Sequence, residues 1–216
     1  VIEPELMSDK EQAIAYANAN FEEPHNHFLE LLRYSIEKKI KFSGDVIDLG
    51  TGTADIAIRF AKTYPSFSID AVDGSSAMLD EAKKAVNKAN LHSRIKLICT
   101  SIQEIALTEK EYALVMSNSL LHHLHNPMDL WELVKKIKGT PIIFIMDLAR
   151  PKNTEEVEGL VHKYTREEPK ILQKDFRNSL KAAFTTEEVI SQLRYAGLKS
   201  LKVSTVSDRH LVISNC

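Results

Sequence analysis

The chain has 216 residues, 44% of them hydrophobic and 27% charged, the make-up of an ordinary globular domain long enough to bury a core. Its formal net charge of −2 gives no bulk attraction to nucleic acid or an anionic membrane, and no apolar stretch approaches the ~20 residues of a transmembrane helix. Two cysteines, Cys99 and Cys216, are too few and too far apart for a disulfide framework or a zinc site.

Residues 1–42 read as helical, and their acidic start carries no signal-peptide pattern, so a cytoplasmic location is expected. With Val1 first, residues upstream are left open. A short apolar strand at 45–49 ends at Gly50-Thr51-Gly52-Thr53, and a helix over 54–63 follows with Ile56, Ile58 and Phe60 on its apolar side. A second strand, 68–72, ends at Asp73-Gly74. Ser75 or Ser76 can cap the next helix, which runs to about 89. Strands follow at 95–99 and 112–117, and Cys99, in the first of these apolar runs, is expected to be a buried thiol. Asn126 and Pro127 open another helix as cap and first residue. Residues 141–146 are almost wholly apolar, as in a strand covered on both faces.

The remainder changes character. Residues 148–184 read as two helices, near 154–164 and 169–183. Thr185 and Glu188 form a capping box for a helix to about 195, which Gly197 can stop. Strands at 201–206 and 210–213, joined by Ser207-Asp208-Arg209, form an antiparallel hairpin. Alternating strands and helices give an α/β fold built on a parallel sheet with right-handed crossovers. The basic clusters (Lys38, Lys39, Lys41; Lys83, Lys84; Lys135, Lys136, Lys138) read as solvated helix faces.

The densest signal is Asp48-Leu49-Gly50-Thr51-Gly52 between a strand and a helix. Glycines there allow a sharp turn and close approach of a ligand to the backbone. Asp73 ends the next strand about 20 residues on, where a carboxylate can take both hydroxyls of a ribose. The third glycine expected beneath a dinucleotide is absent, because Asp55 stands in its place.

With these features the chain resembles the class I S-adenosylmethionine (SAM)-dependent methyltransferases, over residues 43–147 and 185–216. The resemblance implies a Rossmann-like sheet of seven strands, mostly parallel, with an antiparallel C-terminal strand and helices on both faces. It implies one methyltransferase domain, with 1–42 as an N-terminal helical lid and 148–184 as a helical insertion that also acts as a lid. SAM is the implied cofactor and S-adenosylhomocysteine (SAH) the product. Asp48 would help hold the cofactor's ammonium group, Gly50, Thr51 and Gly52 its methionine part, Asp73 its ribose, and Gly74 and Met78 its adenine. The family often has an acid after the third strand. Here Ser101 replaces it, with Ile102 offering its backbone N–H and an apolar contact.

After the fourth strand, Ser117-Asn118-Ser119-Leu120-Leu121-His122-His123-Leu124 resembles a version seen in small-molecule methyltransferases. The Asn/Asp-Pro-Pro-aromatic motif of the N-methyltransferases of bases and glutamine amides is missing. Asn118 would face both cofactor and acceptor. His122 is the first candidate for a base, since a neutral imidazole accepts a proton near neutral pH, and His123 is a candidate substrate contact; His125 is expected at the surface. Tyr16, Phe21 and His25 would face the site from the N-terminal lid, with His27 nearby. Asp147 ends the fifth strand, and Arg150 just beyond it could clamp a substrate carboxylate or phosphate. Tyr164, Asp175, Phe176, Arg177 and Asn178 in the insertion, and Arg209 and His210 at the hairpin, could line an acceptor pocket. No metal is expected, because no ligand cluster is visible and no carboxylate follows the fourth strand.

The reading is therefore a methyltransferase with a small-molecule acceptor of unidentified nature, with no membrane or nucleic-acid partner expected and the oligomeric state open. Three alternatives stay open. The acceptor could be RNA or protein; the chain could bind SAM or SAH without catalysis; or it could be an NAD-dependent oxidoreductase on a related fold.

Overall fold

The computed structural model describes residues 6–37, 43–107 and 109–216. Two helices, α1 (Lys10–Asn18) and α2 (Glu22–Ile36), precede the sheet. In chain order there follow β1 (Gly44–Leu49), α3 (Asp55–Thr63), β2 (Phe67–Asp73), α4 (Ser76–Lys88), β3 (Ile95–Cys99) and β4 (Leu114–Asn118). After a single 3-10 turn, Leu121–His123, come α5 (Met128–Lys136), β5 (Ile142–Leu148), α6 (Thr154–Thr165), α7 (Lys170–Ala182), α8 (Thr186–Ala196), β6 (Lys202–Thr205) and β7 (His210–Ser214). Lys38, Lys39 and Lys41 lie outside the described residues.

The seven strands form one sheet in the order β3-β2-β1-β4-β5-β7-β6. β1 to β5 pair in parallel, and β7 runs antiparallel to both β5 and β6. The chain order reverses between β1 and β4, so a crevice opens there beyond the carboxyl ends of the strands.

Side chains alternate along each strand, so the sheet feeds two cores. Val46, Met116 and Phe144 face a layer containing Phe28, Leu32 and Phe60. Ile47, Val115 and Ile143 face the opposite layer of Leu130, Trp131, Val189 and Leu193. β5 is buried at every position, which explains its continuous apolar run. The Thr185/Glu188 capping box forms as the sequence suggests, and Gly197 takes the left-handed conformation, φ 76°, that ends α8.

Three expectations need correction. Cys99 is exposed, because β3 is an edge strand and Cys99 is its last residue. Helix α2 is not simply a cover: Phe28 and Leu32 are fully buried, and Phe28 meets Phe144 edge-on at 5.2 Å. Burial of each such side chain contributes about 1.5–3 kcal/mol, so α2 is anchored in the core. Helix α1 buries only Ala13. At α5 the start shifts by one residue: Pro127 is the cap, while Asn126 Oδ1 accepts from the Met128 amide at 3.2 Å.

Candidate functional site

The turn after β1 is built by hydrogen bonds to its neighbours. The Gly50 and Thr51 amides both donate to Val72 O at 2.9 Å. Gly50 has φ 73°, and a Cβ there would stand 3.0 Å from the Leu120 side chain, so this position requires glycine on both counts. Asp73 clamps the loop: Oδ2 accepts from the Gly52 amide and Oδ1 from the Ser75 amide, both at 2.8 Å. Two residues other than glycine, Ala54 (φ 62°) and Ser119 (φ 56°), are held left-handed beside this turn and just after β4. Such conformations cost about 1–3 kcal/mol and collect at functional sites.

Asp48 is buried, and Thr51 Oγ1 donates to its Oδ2 at 2.7 Å. Burial, with a smaller contribution from the Asp73 charge, pushes the Asp48 carboxyl up to about 7, against the Thr51 bond that lowers it. Burial also raises the Asp73 carboxyl, against the Ser75 and Gly52 amide bonds. Both carboxyls border one cleft.

That first cavity brings together Asp48, Gly50, Thr51, Gly52, Asp73 and Gly74, and also Met78, Ser101, Ile102 and Asn118. These are the positions that the resemblance assigns to the cofactor; Phe21 and His27, the other residues expected near it, are not on this wall. Ser101 gives its hydroxyl to Glu104 at 3.1 Å, so Ser101 offers the cleft mainly backbone. The cleft encloses about 150 Å³, below the ~300–1,000 Å³ usual for a ligand site. Leu6 narrows it, since a Cβ added to Gly74 would meet Leu6 Cδ2 at 2.5 Å.

A second cavity of about 660 Å³ adjoins the first. Tyr16, His25, Asn118, Ser119 and His123 border both. Asn118 Nδ2 donates to Ser119 Oγ at 3.2 Å, while its Oδ1 is buried without a hydrogen-bond partner. An unmet buried carbonyl costs about 1–3 kcal/mol, so this oxygen at the junction of the cavities is poised for a ligand's donor.

His122 lines the second cavity and is held from behind by Asp147. Nδ1 lies 2.6 Å from Asp147 Oδ1, and the Leu121 and Leu148 amides also donate to this carboxylate at 2.6 Å. Burial alone would raise the Asp147 carboxyl, but the field and hydrogen bond of His122 and the Leu148 amide outweigh it and hold it below its ordinary value. An ionised carboxylate is an acceptor only, so Nδ1 carries a proton, which in the neutral ring leaves Nε2 as the acceptor.

Tyr16 borders the junction with its hydroxyl pushed up to about 12 by burial, and further by Asp175 and Asp147; it is a neutral donor at any ordinary pH. His25 is engaged by Asp55 at 2.6 Å, and Asp55 also takes Arg59 Nε at 2.6 Å. The residue in the third-glycine place thus ties α2 to α3. Phe21, Tyr164, Asp175, Phe176, Arg209 and His210 line the second cavity. Burial lowers His210 to about 4, so its ring is neutral.

Arg150, His27, His125, Arg177 and Asn178 border neither cavity. The backbone after β5 turns toward Phe184, which carries the exposed Arg150 to an ion pair with Glu188. Arg177 pairs with Glu158. His27 Nε2 is buried without a partner. Sequence reasoning had Asp147 only as a strand-end acid and did not pair it with His122. The available signal was an acid closing a wholly apolar strand, a group that needs a partner when buried.

Residues 46–139 match the family model of a methyltransferase domain. Among sequence relatives, the malonyl-acyl-carrier protein O-methyltransferase of Priestia megaterium is 36% identical over 34% of this chain and 25% of its own length. The tRNA1(Val) (adenine(37)-N6)-methyltransferase of Pedobacter heparinus is 35% identical over 39% of this chain and 37% of its own. The matches span about half or less of these relatives' length. Among solved structures, the plantazolicin methyltransferase BpumL in complex with SAH aligns with TM-score 0.73 at 18% identity, covering 97% of this chain and 91% of that one. A SAM dependent methyltransferase from Aquifex aeolicus aligns with TM-score 0.61 at 17% identity, covering 88% and 96%.

Proposed function

We propose that this chain is a class I SAM-dependent methyltransferase, as its methyltransferase-domain match over residues 46–139 supports, and that it moves a methyl group from that cofactor to a small molecule seated in the larger cavity. The observation that carries the proposal is the junction. A cleft built on Asp48, Gly50, Gly52 and Asp73 meets a roomier chamber at Asn118 and Ser119.

The donor set suits the cofactor. Asp48 offers a buried carboxyl to an ammonium group, Asp73 a carboxyl to ribose hydroxyls, and Gly50, Thr51 and Gly52 bare backbone. Gly74, Met78, Ser101 and Ile102 form a mixed wall for a purine. The cofactor supplies a methyl group on a positively charged sulfur, already activated, so the protein's main task is alignment. Asn118 orients the acceptor through its unmet carbonyl. His122 takes the acceptor's proton at Nε2, while Asp147 keeps Nδ1–H in place. Tyr16, His25 and His123 complete the shared wall. The chamber's volume fits a metabolite-sized molecule, which favours that class over RNA or protein.

The test is calorimetric titration with SAM, SAH and NAD, followed by methyl transfer to small metabolites, tRNA and ribosomal protein. SAM and SAH binding without NAD binding, with transfer confined to small molecules, is expected. NAD binding alone would overturn the cofactor assignment, and transfer only to a macromolecule would overturn the acceptor class.

A further inference from the structure

Arg209 is the only arginine among the described residues that borders the larger cavity. Its side chain is 8% exposed, and its guanidinium lies 3.4 Å from the centroid of the Tyr164 ring. A stacked guanidinium withdrawn from water is a fixed charge that needs a carboxylate. Two serve it. Asp208 accepts from Nη1 at 3.3 Å, but this carboxylate is shared with Lys163 at 2.8 Å and the Tyr164 hydroxyl at 2.9 Å. Glu23, in the first turn of α2, accepts from Nη2 at 3.0 Å and is 73% exposed. The two partners differ in kind. Asp208 belongs to a network, whereas Glu23 reaches in from solvent, and Arg209 is the one partner the structure gives it.

We infer that Arg209 is an anion subsite of the acceptor cavity, occupied in this form by Glu23 as an exchangeable placeholder, and that the acceptor is an organic acid whose carboxylate displaces Glu23. Withdrawing Glu23 leaves Arg209 and Lys163 facing Asp208 alone, an excess of one positive charge that one carboxylate neutralises. The other acids on the cavity wall do not compete for this role. Asp175 accepts from Gln12 Nε2 at 2.7 Å, and Arg209's ion pairs are with Glu23 and Asp208.

The fold also places an apolar wall between two polar ends. Arg209 adjoins β7, its carbonyl accepting from the Ala149 amide at 2.8 Å. Asn118 ends β4, and β5 lies between. Asn118 stands opposite Met146 and Arg209 beside Ala149, so the two polar positions are offset both across and along the sheet. Met146, Leu148 and Phe176 line the cavity along with these polar ends. A hydroxylated aromatic acid, with its hydroxyl toward His122 and its carboxylate at Arg209, suits that mix of polar ends and apolar wall.

The inference rests on the larger cavity being the acceptor site, and two separate measurements keep the readings apart. SAH titration of the wild type and of Glu23→Gln tests the methyltransferase reading alone; absence of SAH binding removes that reading. Titration with 4-hydroxybenzoate and 4-hydroxycinnamate, each beside its methyl ester, tests the subsite. At least one acid is expected to bind roughly 10- to 100-fold tighter than its ester, the worth of a charge-assisted contact. Glu23→Gln should strengthen binding of the acid and leave the ester unchanged, and Arg209→Gln should abolish the difference. Should Arg209→Gln fail to fold, the Glu23→Gln result decides. Equal binding of acid and ester, or no gain in Glu23→Gln, overturns the inference even where SAH binds.

Discussion

Replacing Asp147 with asparagine tests the proposed base most directly. The carboxylate receives the His122 Nδ1 proton and the Leu121 and Leu148 amides, all at 2.6 Å. Asparagine is nearly isosteric but offers one carbonyl oxygen and an NH2 group that donates. At least one of the present donors must then face another donor. If it is a backbone amide, the buried N–H is left unmet, at a cost of about 1–3 kcal/mol. For a chain of this size that lowers Tm by about 2–4 °C per kcal/mol. If it is His122, the ring can instead accept at Nδ1 and carry its proton on Nε2, the wrong atom for a base. General-base help is worth roughly 10²–10⁴-fold, so turnover of the acceptor found by screening should fall by that factor. Asp147 borders neither cavity, so SAH affinity should stay unchanged. Nitrogen-15 chemical shifts of the His122 ring report the tautomer without any acceptor and should invert in Asp147→Asn. The double variant with His122→Gln should be no slower than His122→Gln alone, because the pair acts as a unit. A folded Asp147→Asn protein with undiminished turnover and an unchanged ring tautomer would refute the reasoning.

Other outcomes follow from the same geometry. The Asp48 carboxyl, raised to about 7, must ionise to hold an ammonium group. SAM affinity measured by calorimetry should therefore fall as pH drops below about 7 and level off above it, and Asp48→Asn should remove that dependence along with most of the affinity. The same raised value has an opposite sign for stability: without cofactor the fold loses Asp48's contribution as pH rises from the ordinary carboxylate value toward about 7, visible as a smaller acid-side loss of Tm than in Asp48→Asn. Leu6→Ala should speed SAM association in stopped flow, because Leu6 crowds Gly74; an unchanged rate would show that Leu6 does not limit entry. Thr185→Ala removes one half of the capping box, should cost about 1 kcal/mol, and should lower Tm by about 2–4 °C without altering SAH affinity.

Local signals carried most of the fold. Apolar runs located each strand, Thr185 and Glu188 marked the start of α8, and Gly197 its end, because these features act within a few residues. The cofactor cleft was legible for the same reason: Asp48 to Gly52 is one turn, and Asp73 follows one strand later. What escaped depends on pairings far apart in the chain. His122 and Asp147 are 25 residues apart, and Glu23 and Arg209 are 186; no spacing rule joins them. Arg150 and Arg209 look alike in sequence, each in a loop next to a strand. Only the direction the backbone takes after β5 sends one to the surface and leaves the other against the cavity. Cys99 was misplaced because an apolar run does not reveal whether its strand lies at the edge or the centre of a sheet.

The stretch from Leu6 to Tyr16 has a bearing on the rhythm of turnover. Leu6, Met7 and Tyr16 border both cavities, so one cover serves two chambers. If the proposed cofactor leaves past these residues, the acceptor chamber would open with it. A molecule with two methylatable atoms would be let go between transfers, and the singly methylated form would accumulate before any of the doubly methylated one appeared. On the proposed reading, a cover shared in this way would favour release between transfers.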